Sequence, residues 1–162
     1  MAQKKKLGIK NKPKTKSSRR HSSPKRLKPE LLDLKSLEQF VKNHPDDIDS
    51  AIKLAEHYFK INRETRICEV LRPFELGTIK ADSPQRFRYL TLLAIGHAFA
   101  GELSEAEQSC EQGLKEFPDS LDFYYLLSYI KLSLREYISA IEHGHKYLQL
   151  LRDKPVLEKM PL

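Results

Sequence analysis

The sequence predicts an all-α fold of antiparallel helix hairpins stacked one on the next. Three observations carry that prediction. Beyond Pro45 apolar residues keep the helical period almost everywhere, and nothing alternates convincingly with a period of two. Prolines punctuate the pattern at Pro45, Pro73, Pro84, Pro118 and Pro155. The connections between periodic runs are short, as at Gly101-Glu102 and Arg135-Glu136, which forces neighbouring helices to run antiparallel.

Residues 1–29 stand outside this pattern. They hold nine lysines and three arginines without one acid, together with Gly8, Pro13, Pro24 and Pro29. Burial cannot offset the entropy of ordering such a segment, so a disordered basic arm is expected. The other 133 residues carry 17 basic and 22 acidic side chains, so the net charge of +7 describes neither part. From Glu30 the composition changes abruptly. Leu31, Leu32, Leu34, Leu37, Phe40 and Val41 recur at helical spacing before His44-Pro45, giving a first helix over 30–43. Further helices are expected near 47–61, 64–76, 84–100, 103–116, 120–134 and 136–152, making 30–152 one helical repeat domain and 153–162 a C-terminal tail.

The hairpins repeat. Shifted by 34 positions, Leu90 falls on Tyr124, Leu93 on Leu127, Ala94 on Ser128, Leu103 on Tyr137 and Ala106 on Ala140. Small residues fall where the helices of a hairpin cross closely and large ones beside the crossing. Glu107, next to Ala106, reads as exposed.

These residues resemble the tetratricopeptide repeat (TPR). GHAFAGELSEAEQSCEQGLKEFPDS is similar to the second part of its pattern, with a turn at Gly101, the family's alanine at Ala106, a small residue at Gly113 and the closing Pro118. YYLLSYIKLSLREYISAIEHG resembles the same pattern through Leu127, Tyr137 and Ala140. The copies lie at about 87–120 and 121–152, after a degenerate one at about 48–86 that keeps Leu54, Ala55 and Tyr58. That copy has Ile67 where alanine is expected, and its spacing to the next is 39, which places five extra residues in the loop GTIKADS. Helix 30–43 fits the second helix of a still more degenerate repeat, closed by Pro45.

The resemblance implies a short right-handed superhelix in which the first helix of each pair lines a concave groove that holds a partner peptide. The partner-binding residues it implies are Ile52, Glu56 and Phe59, then Thr91, Ile95 and Phe99, then Tyr125, Tyr129 and Leu132. Asp49, Lys60, Arg88, Ala98 and Asp122 face the same way. One TPR subclass clamps a C-terminal carboxylate with basic and amide side chains. The corresponding positions here read Ile52, Glu56, Leu92, Asp122 and Leu126, and the two acids would repel a carboxylate.

Chemistry is hard to place in this chain. Cys68 and Cys110 lie in no CxxC and in no sequence cluster of Cys and His, which argues against zinc and for a reducing compartment. His143 and His145 are two apart and point to different helix faces, so they cannot chelate together. There is no phosphate-cradling glycine loop and no nucleophile–histidine–acid signature, so the expectation is a non-enzyme without cofactor, metal or catalytic residue. No apolar run is long enough for a membrane span, and the basic start has no apolar block behind it, so a cytoplasmic protein is expected, or a nuclear one in a eukaryote.

The function expected is that of a protein-interaction scaffold. One alternative is an accessory TPR module of a larger enzyme such as a glycosyltransferase. The last repeat helix lacks an evident polar cap, which suggests a further domain, a second copy of the chain in a homo-oligomer, or a truncation. The other alternative is a nucleic-acid-associated factor, with Lys4, Lys5, Lys6, Arg19, Arg20, Lys25 and Arg26 neutralising phosphates or another anionic surface. The arm has no aromatic residue on which a base could stack.

Overall fold

The computed structural model describes residues 33–81 and 83–153, and in these residues the chain is seven α-helices without a strand. In order they are α1 (Leu34–Asn43), α2 (Ile48–Lys60), α3 (Thr65–Leu71), α4 (Pro84–Ala100), α5 (Leu103–Glu116), α6 (Leu121–Ser133) and α7 (Tyr137–Asp153). Residues 1–29, with the basic side chains singled out above, lie outside the described residues, as does the tail beyond Asp153.

Local chemistry sets the helix starts. The Asp33 carboxylate accepts the Ser36 N–H at 2.8 Å and begins α1. Asp47 does the same for Ser50 at the start of α2, and Ser120 for Phe123 at the start of α6. Ser83 accepts from Arg86 N–H at 3.1 Å, with Pro84 in the first turn of α4, where its missing N–H costs nothing. Helix α3 is shorter than the expected 64–76. It ends at Leu71, two residues before Pro73, whose ring would collide with the carbonyl one turn back.

The hairpins α2/α3, α4/α5 and α6/α7 turn through a residue in the left-handed region: Asn62 (φ 54°), Gly101 (φ 80°) and Arg135 (φ 65°). These positions are 39 and then 34 apart, the spacing of the sequence repeat itself. Each helix packs on its neighbours in sequence, and α2 also touches α4, as α4 touches α6. The first helices of the three hairpins therefore form one layer.

The core runs through the stack as Leu37, Leu54, Tyr58, Ile67, Leu71, Leu90, Phe123, Leu127 and Ile130, all buried. Ala106 is wholly buried, and Ala140 is buried as well. Gly113 packs on the Phe123 ring so closely that no side chain fits between them. The inserted loop contains a short 3-10 turn (Leu76–Thr78) and sends Ile79 into the core. Arg86 holds it: one nitrogen donates to the Leu76 and Ile79 carbonyls at 2.8 Å each, while the rest of the guanidinium meets Glu116 at 2.5 and 2.6 Å. Both side chains of that ion pair are nearly enclosed.

Candidate functional site

The layer of first helices leaves a cavity of about 330 Å³ lined by Phe59 from the end of α2, Thr91, Ile95 and Phe99 from α4, and Asp122, Tyr125, Leu126 and Tyr129 from α6. Steps of four along α4, and of three or four along α6, keep these side chains on one face of each helix. Thr91 donates its hydroxyl to its own helix at the Phe87 carbonyl, 2.9 Å away, which satisfies its polar atom without a ligand. The aromatic rings stay open to solvent: Phe59 is 44% exposed, Phe99 56%, Tyr125 60% and Tyr129 49%. The Tyr125 ring lies beside the Tyr147 ring of α7, tilted to it with centroids 5.8 Å apart.

One charge lines the cavity, the Asp122 carboxylate in the first turn of α6. No cation pairs with it among the described residues. Of the two arginines of α4, Arg86 is held by Glu116 and the Leu76 and Ile79 carbonyls, and Arg88 is directed at Glu56, 3.8 Å away.

Of the nine groove residues expected from the sequence, Phe59, Thr91, Ile95, Phe99, Tyr125 and Tyr129 come together in this cavity. Ile52 does not, since it is only 3% exposed and belongs to the core. The packing of α2 on α4 consumes that part of the stripe. Glu56 stands beside the cavity in its ion pair with Arg88. Leu132 belongs to a different surface, with Tyr137, Ile141 and Leu148 around α7. Leu126 was visible only as a position of the carboxylate clamp, although its place four residues after Asp122 is the signal that puts it in the lining. Two other clamp positions, Ile52 and Leu92, are buried.

The α7 surface is apolar and open, with Ile138 77% exposed and Ile141 and Leu148 each 58%. No helix among the described residues is long and apolar enough to cross a membrane.

Residues that form no cluster in sequence meet in space around Cys68. Cys68, His97 and Glu102 bring their ligand-type atoms within 4.8 Å of one another. They come from α3, α4 and the α4–α5 turn, so sequence distance hid the cluster. Its chemistry is nevertheless that of a hairpin lock. His97 Nδ1 donates to Glu102 at 2.6 Å, and Arg72 donates to both oxygens of the same carboxylate at 3.0 and 3.3 Å. These bonds, His97's first, hold the Glu102 carboxyl below its ordinary range. Burial pushes the Cys68 thiol up to about 11, so it is protonated at neutral pH. Thirty-four positions on, Lys131 donates to Glu136 at 2.7 Å across the α6/α7 turn and closes that hairpin in the same way. A role shared with a lysine is structural, and the guanidinium on Glu102 occupies the oxygens a cation would need.

No family model matches the sequence, and no curated protein matches it. Solved structures of MamA share its fold. The crystal structure of MamA superposes with a TM-score of 0.62 at 20% identity over 72% of this chain and 66% of that one. A MamA RS-1 double mutant gives 0.63 at 16% identity, over 75% of this chain and 65% of that one. MamA from residue 41 to its end, from Desulfovibrio magneticus RS-1, gives 0.63 at 15% identity, over 75% and 66%. The chain thus spans about two thirds of the length of the structures it matches. At such low identity the likeness carries the fold alone: this chain is an all-helical, TPR-like stack of hairpins.

Proposed function

We propose that the chain is a protein-interaction module rather than an enzyme, and that it binds a partner segment in the cavity between α2, α4 and α6. The observation that carries this reading is the group of exposed aromatic rings, Phe59, Phe99, Tyr125 and Tyr129, around one cavity of about 330 Å³. Large apolar side chains gathered on a monomer's surface mark an interaction site, because leaving them in water forgoes burial free energy of about 25 cal/mol per Å². A TPR-like stack suits the role, since its first helices present a continuous concave surface at low ordering cost.

The test pairs capture with a fold control. Tyr129→Asp in the full chain is expected to abolish retention of partners from a lysate of the source cells, while the far-ultraviolet helix signal and thermal midpoint stay near those of the parent. Undiminished capture would remove the groove from the account. Loss of helix signal would make Tyr129 a core residue and remove it too.

A second reading rests on the charge of residues 1–29. Nine lysines and three arginines without an acid would add affinity for a polyanion through counterion release.

A further inference from the structure

The cavity has a chemical bias beyond its apolarity. Three kinds of occupant can be compared. An anionic side chain would meet the Asp122 carboxylate, with no cation in the lining to receive it. A wholly apolar occupant would cover Asp122 and leave its charge without a partner, which costs free energy. A cation meets favourable groups on each side. The faces of Phe99, Tyr125 and Tyr129 carry the negative lobe of the ring quadrupole, and Asp122 supplies a full negative charge on the same helix face as the two tyrosines. Of the basic residues on the groove side of the layer, Arg88 is directed at Glu56 and Lys60 does not line the cavity.

From this charge complementarity we infer that the groove binds a partner peptide through a cationic side chain, a lysine or arginine flanked by aliphatic residues, seated among these rings with its charge toward Asp122. The inference rests on the reading of the cavity as the partner site. It adds the chemistry of the partner: the flanking aliphatic groups cover Ile95 and Leu126, and the cation sets specificity.

The experiment titrates isotope-labelled full chain with three capped synthetic peptides, Ala-Leu-Xaa-Leu-Ala, in which Xaa is lysine, norleucine or glutamate, while following the Tyr125 and Tyr129 resonances. The lysine peptide should bind about fivefold more tightly than the norleucine peptide, as one cation–aromatic contact of about 1 kcal/mol allows, and the glutamate peptide least. Asp122→Asn should narrow the gap between the lysine and norleucine affinities, weakening the first and strengthening the second, without closing it, because the rings remain. Equal affinities on the parent chain would overturn the cation preference and leave the groove reading standing. Failure of all three peptides to move Tyr125 or Tyr129 would overturn both. Through-space contacts between these rings and lysines of residues 1–29 in the free chain would name the chain's own arm as occupant and overturn the choice of a separate partner.

Discussion

Ile67 lies against Gly96: a methyl group placed on Gly96 would come 3.0 Å from the Ile67 Cβ and 2.7 Å from the Cys68 sulfur. The first hairpin therefore carries isoleucine where the repeat pattern has alanine, because α4 carries no side chain at the facing position. Ile67 is completely buried there. Gly96→Ala should overpack this crossing and cost about 1–3 kcal/mol, measured by urea denaturation. Ile67→Ala alone leaves a cavity, at about 2–5 kcal/mol. The double substitution should cost less than the two single costs combined, and strict additivity would mean that the two residues do not share the space.

Arg135 takes a left-handed conformation at φ 65° where the previous hairpin has Gly101 at φ 80°. A side chain in that region costs about 1–2 kcal/mol, and glycine returns part of the gain through its freer unfolded chain. Arg135→Gly is expected to stabilise the protein by about 0.5–1 kcal/mol and raise its thermal midpoint. A lower midpoint would show that the turn is not strained.

Two hairpin locks give stability opposite dependences on pH. The Glu102 carboxyl titrates below its usual value, so its contribution is present above the unfolded pKa of about 4.3 and is lost as pH falls through the folded value. Hydrogen bonds to Glu107 and then Glu136 raise the Lys131 ammonium, so its contribution is present below about 10.4 and is lost as pH rises through the folded value. Denaturant midpoints measured across pH should show a shallower acid limb in Glu102→Gln and a shallower alkaline limb in Lys131→Gln. Limbs unchanged from the parent would remove these pairs from the stability account.

Burial pushes the Cys110 thiol up to about 12 and that of Cys68 up to about 11. Neither offers thiolate to an electrophile at neutral pH. Iodoacetamide should label neither in the native protein at pH 7.5, and both after denaturation. Rapid native labelling of Cys68 would point to local opening around the α3–α4 crossing.

The basic arm makes a salt-dependent prediction. The whole chain should be retained on immobilised heparin at low salt and released steeply as salt rises, whereas a chain beginning at residue 30 should pass through. Equal retention of the two would assign the binding elsewhere.

Much of the architecture was legible in the sequence because it depends on period and punctuation. The 34-residue match of Ala106 with Ala140 and the 39-residue step before it reappear as buried alanines and regularly spaced left-handed turns. Six groove residues converge for the same reason, sharing single faces of α2, α4 and α6. What escaped depends on how helices lean on each other. Ile52 sits on the expected stripe, yet the contact between α2 and α4 buries it. Glu107 reads as an exposed helix residue but is only 22% exposed and binds Lys131 at 2.6 Å, an interaction set by the approach of α5 to α6. Cys68, His97 and Glu102 meet across three segments that no local pattern connects.

Arg86 reaches backward to the loop after α3 and sideways to the end of α5, through the Leu76 and Ile79 carbonyls and Glu116. The inserted segment is thereby bound into the cooperative unit of the hairpin that follows it. Its backbone should open only when α4 and α5 open, so hydrogen exchange at Thr78 and Ile79 should follow the slow rate of that hairpin and not the fast rate of a surface loop. Arg86→Met would uncouple the two, leaving a stack whose first hairpin can unravel without disturbing the walls of the groove formed by α4 and α6.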